Sequence, residues 1–177
     1  LLKINGKSII EREIEVLDAI FDETIIITNN PENYEFLGKP LFNDVVPGKG
    51  SLGGLYTGLL RARNHYSFFV PCDMPFLDTR IINVLLSKLD NHDIVIPKIN
   101  GHLEPMHAIY SKKCIPHIKK LMTGDDLKIK LLFHEVDTYE ISEDCVRKFD
   151  PAFDFIMNVN TPKDFEDAKK KLVSKYG

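Results

Sequence analysis

Asp73 stands inside Pro71-Cys72-Asp73-Met74-Pro75, just past the apolar run Phe68 to Val70, where prolines stiffen the chain around a thiol and a carboxylate. A carboxylate in such a turn can hold Mg2+ through a hard oxygen while the ion engages substrate phosphates. It can equally accept backbone amides of its own turn. Cys72 has no local histidine to activate it and reads as a small packing residue. Asp44 closes a second short apolar run and opens DVVPGKGSLGG. Its carboxylate can meet a nucleobase, a sugar or a metal, or cap the turn. The glycines let backbone amides approach phosphate oxygens closely, with Lys49 beside them, but their spacing is neither that of a nucleotide triphosphatase loop nor the dinucleotide fingerprint. Asn158 and Asn160 flank Val159. In extended chain both amides face one side and can offer donors and acceptors to a polar heterocycle, or they satisfy the turn into the last helix. His107 lies in a strand-like apolar run, where core packing or a local hydrogen bond fits better than metal ligation.

These residues need elements to carry them. Ser8 and Glu11 have capping-box spacing ahead of a helix whose Ile10, Ile14, Leu17 and Phe21 recur at helical intervals. TIIIT is a buried strand emptying into Asn29-Asn30-Pro31, and a short run at 40–43 delivers Asp44. Leu55, Leu59 and Ala62 line the next helix, 66–70 is the strand before Asp73, and Asp78 caps the helix bearing Ile81, Ile82 and Leu85. With DIVIP as a further strand, the alternation of helix and strand predicts a parallel sheet covered on both faces. MHAIY and HEV read as strands, and 115–122 and 127–133 as helices. FIMNV reads as a last strand before a helix with Thr161 as cap, Pro162 first, Asp164 third, and Phe165, Ala168, Leu172 and Tyr176 on its inner face. The loops TNNP, DVVPGKGSLGG and PCDMP would then share the ligand-binding edge of the sheet.

With 177 residues, 44% of them apolar, the chain can bury a full core as one domain. A net charge of -3 with interspersed signs excludes the basic stripe of a nucleic-acid binder. The three scattered cysteines lack zinc-knuckle or redox spacing and fit a reducing compartment, hence the cytoplasm. No apolar run approaches membrane-spanning length.

The segments LLKINGKSII, IIITNNP, DVVPGKGSLGGLYTGL, FFVPCDMPFL, EPMHAIYSK and NVNTP lie in order over nearly the whole chain. In them the sequence resembles the molybdenum cofactor guanylyltransferase family, also called the molybdopterin-guanine dinucleotide biosynthesis protein A family. The resemblance implies an α/β fold, a three-layer Rossmann-like nucleotidyltransferase core with a mostly parallel sheet. It implies transfer of GMP from GTP to Mo-molybdopterin with release of pyrophosphate, requiring Mg2+, by a monomer that touches molybdenum cofactor biosynthesis or acceptor proteins. Carried onto this chain, it gives Asp73 to Mg2+ and the nucleotide phosphates, Thr28 or Asn30 with Asp44 and Gly50 to the guanosine, and Asn158 and Asn160 to the molybdopterin. The family opens with a strand and a glycine-rich loop whose lysine surrounds the triphosphate. This sequence starts just downstream of that point, so the expectation is a single nucleotidyltransferase domain, 1–177, lacking its N-terminal strand and loop. A molybdopterin cytidylyltransferase or other nucleotidyltransferase, and a catalytically silent nucleotide- or pterin-binding protein, are the alternatives.

Overall fold

Ser8 opens the first helix as its spacing predicts: its hydroxyl accepts the Glu11 amide, and the Glu11 carboxylate accepts the Ser8 amide at 2.7 Å. The computed structural model describes residues 3–4 and 6–176, with side chains described as far as residue 174. In chain order the elements are β1 (Lys3–Ile4), β2 (Lys7–Ser8), α1 (Ile9–Asp18), β3 (Ile26–Ile27), β4 (Leu41–Phe42), α2 (Gly50–Arg61), β5 (Tyr66–Phe69), α3 (Thr79–Leu86), β6 (Ile94–Ile99), β7 (His102–Leu103), β8 (Ala108–Ser111), α4 (Cys114–Leu121), β9 (Thr138–Ser142), α5 (Glu143–Arg147) and α6 (Pro162–Tyr176). Asp78 caps α3 through the Arg80 amide, and Thr161 and Asp164 cap α6 reciprocally, both as expected. The side chain of Tyr176 lies outside the described residues.

Two sheets position the loops. β3 and β4 pair in parallel, Ile26 with Leu41 and Ile27 with Phe42. The larger sheet holds β5, β8, β6, β7 and β9. There the expected mostly parallel sheet is overturned. β8 pairs antiparallel with both β5 and β6, β7 pairs antiparallel with β6, and only β9 pairs with β6 in parallel. The reason is local. Asn100 and Gly101 take φ of 49° and 79° between Ile99 and His102, a tight hairpin that returns the chain beside β6 with no room for a crossover helix. Two further expectations fail. HEV is not a strand, since a 3-10 helix spans Ile129–His134 and the strand forms later, at Thr138–Ser142. FIMNV is not a strand either: Asp154–Ile156 is a 3-10 turn, and the residues after it run without a ladder partner among the described residues.

The three layers do form. Ile94 and Ile96 of β6 and Tyr110 of β8 bury against Leu52, Leu55 and Leu59 of α2 and Ile118 of α4. The alternate residues Val95 and Ile109 bury against Ile81 and Leu85 of α3 and Val146 of α5 on the opposite face. Each such aliphatic side chain contributes roughly 1.5–3 kcal/mol by leaving water, so the sheet is locked to both helical layers. A smaller cluster of Ile4, Phe76, Ala168 and Leu172 fastens α6 beside the loop that carries Asp73.

Candidate active site

Between the two sheets runs a cleft of about 450 Å3. β8 covers one edge of β5 and β4 one edge of β3; the opposite edges, 66–70 and 25–28, face each other across the cleft, with α1 and α2 as its walls. Among the described residues neither free edge has a strand partner. The consequence shows in burial: every residue of β8 is buried, whereas every residue of β5 is only half-buried. Glu23, just before β3, accepts the Arg63 amide at 2.9 Å and its Nε at 2.8 Å, just before β5. At the other end Tyr34, after β3, and Cys72, after β5, line the cleft together. Thus β3 and β5 start at one end of the cleft and finish at the other, and their loops emerge together.

One half of the candidate site lies beyond β3 and β4. Their parallel register, extended by the Thr28 amide donating to the Phe42 carbonyl at 2.9 Å, sets the Thr28–Asn30 turn beside Asp44. Asn29, between the two residues singled out from the sequence, makes the direct contact. Its Nδ2 donates to Asp44 Oδ2 at 2.9 Å, and its Oδ1 accepts the Asp44 amide at 3.0 Å. The other carboxylate oxygen, Oδ1, is buried and has no hydrogen-bond partner among the described residues. Thr28 Oγ1 accepts the Asn30 amide at 3.2 Å and so shapes the turn. Gly50 starts α2 at φ 54°, with Lys49 at the cap position offering no side-chain bond, which leaves the first amides of the helix for other acceptors.

The second half is the turn after β5. Asp73 Oδ1 is also buried with no partner among the described residues, and desolvation raises the carboxyl pKa against the lowering effect of its own backbone amide. The turn is held from both sides. Glu13 of α1 accepts the Met74 amide at 2.9 Å, and the Asp73 carbonyl accepts the Val159 amide at 2.9 Å. That second bond brings Asn158 and Asn160, both exposed, beside Asp73, with Val159 turned inward between them. Cys72 departs from expectation. It is exposed at the open cleft rather than packed, and its thiol is pushed up by desolvation and by the nearby Glu13 and Asp73 carboxyls, which opposes a nucleophilic role. His107 packs as expected, fully buried edge-on to the rings of Phe68 and Phe155.

Sequence reasoning missed Glu13, yet a signal was there: it sits at helical spacing between Ile10 and Leu17, on the apolar face of its helix. Burial pushes its carboxyl up to about 8. No cluster of three or more metal-ligating side chains occurs among the described residues. A lone unpaired carboxylate oxygen at Asp73 nevertheless fits Mg2+, which binds through one or two carboxylates and completes its octahedron with water and substrate phosphates.

The MobA-like NTP transferase domain matches residues 1–161. A probable molybdenum cofactor guanylyltransferase of Natranaerobius thermophilus is 36% identical to this chain, over 97% of it and 87% of that protein. The chain belongs to the MobA-like molybdenum cofactor guanylyltransferase family. Another member, the molybdenum cofactor guanylyltransferase of Desulfosudis oleivorans, is 29% identical over 96% of this chain and 84% of its own length. The fold matches the crystal structure of molybdopterin-guanine dinucleotide biosynthesis protein A from Archaeoglobus fulgidus with a TM-score of 0.83 at 22% identity, covering 98% of this chain and 89% of that one. Membership in the MobA-like family makes the protein a nucleotidyltransferase in the broad sense. The matched segment ends at Thr161, the cap of α6. Among the described residues no helix is long and apolar enough to cross a membrane.

Proposed function

We propose that the protein transfers GMP from GTP to the terminal phosphate of Mo-molybdopterin and releases pyrophosphate. The observation that carries this reading is the pair of buried carboxylate oxygens, Asp44 Oδ1 and Asp73 Oδ1, that have no partner among the described residues, one in each of the loop groups that emerge at the same end of the cleft. Asp44, oriented by Asn29, holds the guanosine together with the Thr28–Asn30 turn, and Gly50 borders it. Guanine is favoured because a base with a different donor and acceptor pattern leaves these polar groups unmatched. Asp73 holds Mg2+, which when bound neutralises phosphate charge. Asn158 and Asn160 hold the pterin. The chain's contribution to the chemistry is alignment: a molybdopterin phosphate oxygen attacks the α phosphorus of GTP in line, and the bond to the departing pyrophosphate oxygen breaks.

We further propose that an extended segment preceding Leu1 occupies the cleft, hydrogen-bonds to the free edges of β3 and β5, and presents a glycine-rich loop to the triphosphate. The two unpaired, facing edges support this, since one strand between them satisfies both rows of backbone groups. Transfer of labelled GMP or CMP to Mo-molybdopterin by the chain with its native upstream residues tests the reading. Mg2+-dependent transfer from GTP, lost in Asp73→Asn, is expected. Preference for CTP, or full activity in Asp73→Asn, overturns it.

A further inference from the structure

We propose that Glu13 is a positioning residue for the transfer reaction, holding the 71–75 turn through the Met74 amide so that the free oxygen of Asp73 keeps its aim. The inference rests on the role proposed above for Asp73.

Glu13 is an expensive residue where it stands. Its side chain is 4% exposed, on the face of α1 that otherwise buries Ile9, Ile10 and Ile14. A leucine or methionine there would pack with those neighbours and carry no desolvation cost. What the carboxyl gains is one directed bond, Oε1 accepting the Met74 N–H at 2.9 Å, between segments 61 residues apart in sequence. Met74 follows Asp73 directly, so this bond fixes the peptide on the C-terminal side of the carboxylate. The Val159 amide fixes the same peptide unit through the Asp73 carbonyl, at 2.9 Å. The peptide joining Asp73 to Met74 is therefore anchored at its N–H by α1 and at its C=O by the segment carrying Asn158 and Asn160. With both ends of that peptide fastened, the peptide plane and the Asp73 Cα it carries are held in place, and Oδ1 has no hydrogen-bond partner among the described residues. An acceptor at position 13 is what the turn requires; a negative charge is not. Burial favours the neutral acid, consistent with a group that accepts a bond without adding charge beside Asp73. Glutamine carries the same carbonyl oxygen and methionine does not.

The test uses the chain with its native upstream residues and compares Glu13→Gln, Glu13→Met and Asp73→Asn. GMP transfer is followed against Mg2+ concentration at saturating GTP, alongside thermal unfolding and exchange of the Met74 amide. Glu13→Gln is expected to stay within about threefold of the parent. Glu13→Met should lose protection at Met74 and either drop kcat about tenfold to a hundredfold or raise the half-maximal Mg2+ concentration by a similar factor, with an unfolding temperature no lower than the parent's. A merely structural role would move the unfolding temperature and leave the Mg2+ midpoint in place. Should Glu13→Met fail to fold, Glu13→Ala removes the acceptor with less bulk and is read the same way. If Asp73→Asn is inactive while the folded acceptor-less variant keeps the parent's kcat and Mg2+ midpoint, the positioning role falls and the assignment of Asp73 stands. If Asp73→Asn itself is fully active, the underlying reading falls and the positioning role with it.

Discussion

The Val159 amide donates to the Asp73 carbonyl at 2.9 Å, so the turn with the proposed phosphate-side carboxylate and the segment with the proposed pterin amides share one peptide contact. The amides themselves stand clear of that bond, exposed on the other side of Val159. Asn158→Ala and Asn160→Ala are accordingly expected to raise the KM for Mo-molybdopterin about tenfold while leaving the KM for GTP unchanged. Initial rates with each substrate varied in turn provide the check, and equal rises in both KM values would remove the pterin assignment.

Two glycines one turn apart in α2 should respond in opposite directions. A Cβ at Gly58 would lie 2.4 Å from Phe69 Cε1 and 2.7 Å from Cζ, whereas at Gly54 nothing lies within 4 Å. Gly58→Ala is expected to cost about 1–3 kcal/mol as Phe69 is forced off β5's packing surface. Gly54→Ala should gain up to about 1 kcal/mol from helix propensity. Urea unfolding of this chain measures both.

Acid sensitivity should trace to His107. Burial between Phe68 and Phe155 depresses its pKa to about 3, and neither ring nitrogen has a partner among the described residues. Between about pH 6.5 and 3 the unfolded chain therefore binds a proton that the native one refuses, and stability falls as pH drops through that window. His107→Leu removes the term. Relative to the parent, its unfolding free energy should improve by about 2 kcal/mol on going from pH 7.5 to pH 5.

Glu13 acts in the other direction. Its native pKa of about 8 lies above the unfolded value, so from about pH 4.5 up to 8 the native state holds a proton the unfolded chain has released. Stability from this group falls as pH rises through that range and levels above it. Glu13→Gln abolishes the loss. The variant should match the parent near pH 4 and exceed it by on the order of 3 kcal/mol at pH 7; a constant difference across pH would contradict the buried-acid reading.

Hydrogen exchange tests the proposed occupant of the cleft. With the upstream residues present, amides in 25–28 and 66–70 that face the cleft should slow by about tenfold or more relative to this chain, while those of β6 and β8 stay unchanged. Uniform slowing over the whole sheet would point to general stabilisation instead.

Local features were legible in the sequence because they are settled within a few residues. Ser8 with Glu11, Asp78, and Thr161 with Asp164 all cap where their spacing predicts. The two helical layers followed from periodicity in the same way. Strand direction was not legible from alternation alone, since pairing is decided by connections between distant segments. The one local clue is Asn100-Gly101, which carries the hairpin that reverses the chain. At the candidate site, Asp44 and Asp73 are legible as candidates because carboxylates directly after apolar strands stand out. Asn29 and Glu13 did not, because their importance lies in the partners they meet, Asp44 and Met74, which are far away in sequence. The exposure of Cys72 is not legible in sequence, because its neighbours are apolar while the space in front of it is open.

The uncovered margins of β3 and β5 also govern how the chain behaves in a tube. Among the described residues the cleft-side edges of 25–27 and 68–70 have no strand partner, their side chains are apolar, and no lysine or proline interrupts either run. Such a margin is a template for another copy's margin, and the opening between them multiplies the opportunity. Association of this chain through these margins would appear as light scattering that rises with concentration. The proposed occupant of the gap is expected to lower that scattering, a readout independent of turnover.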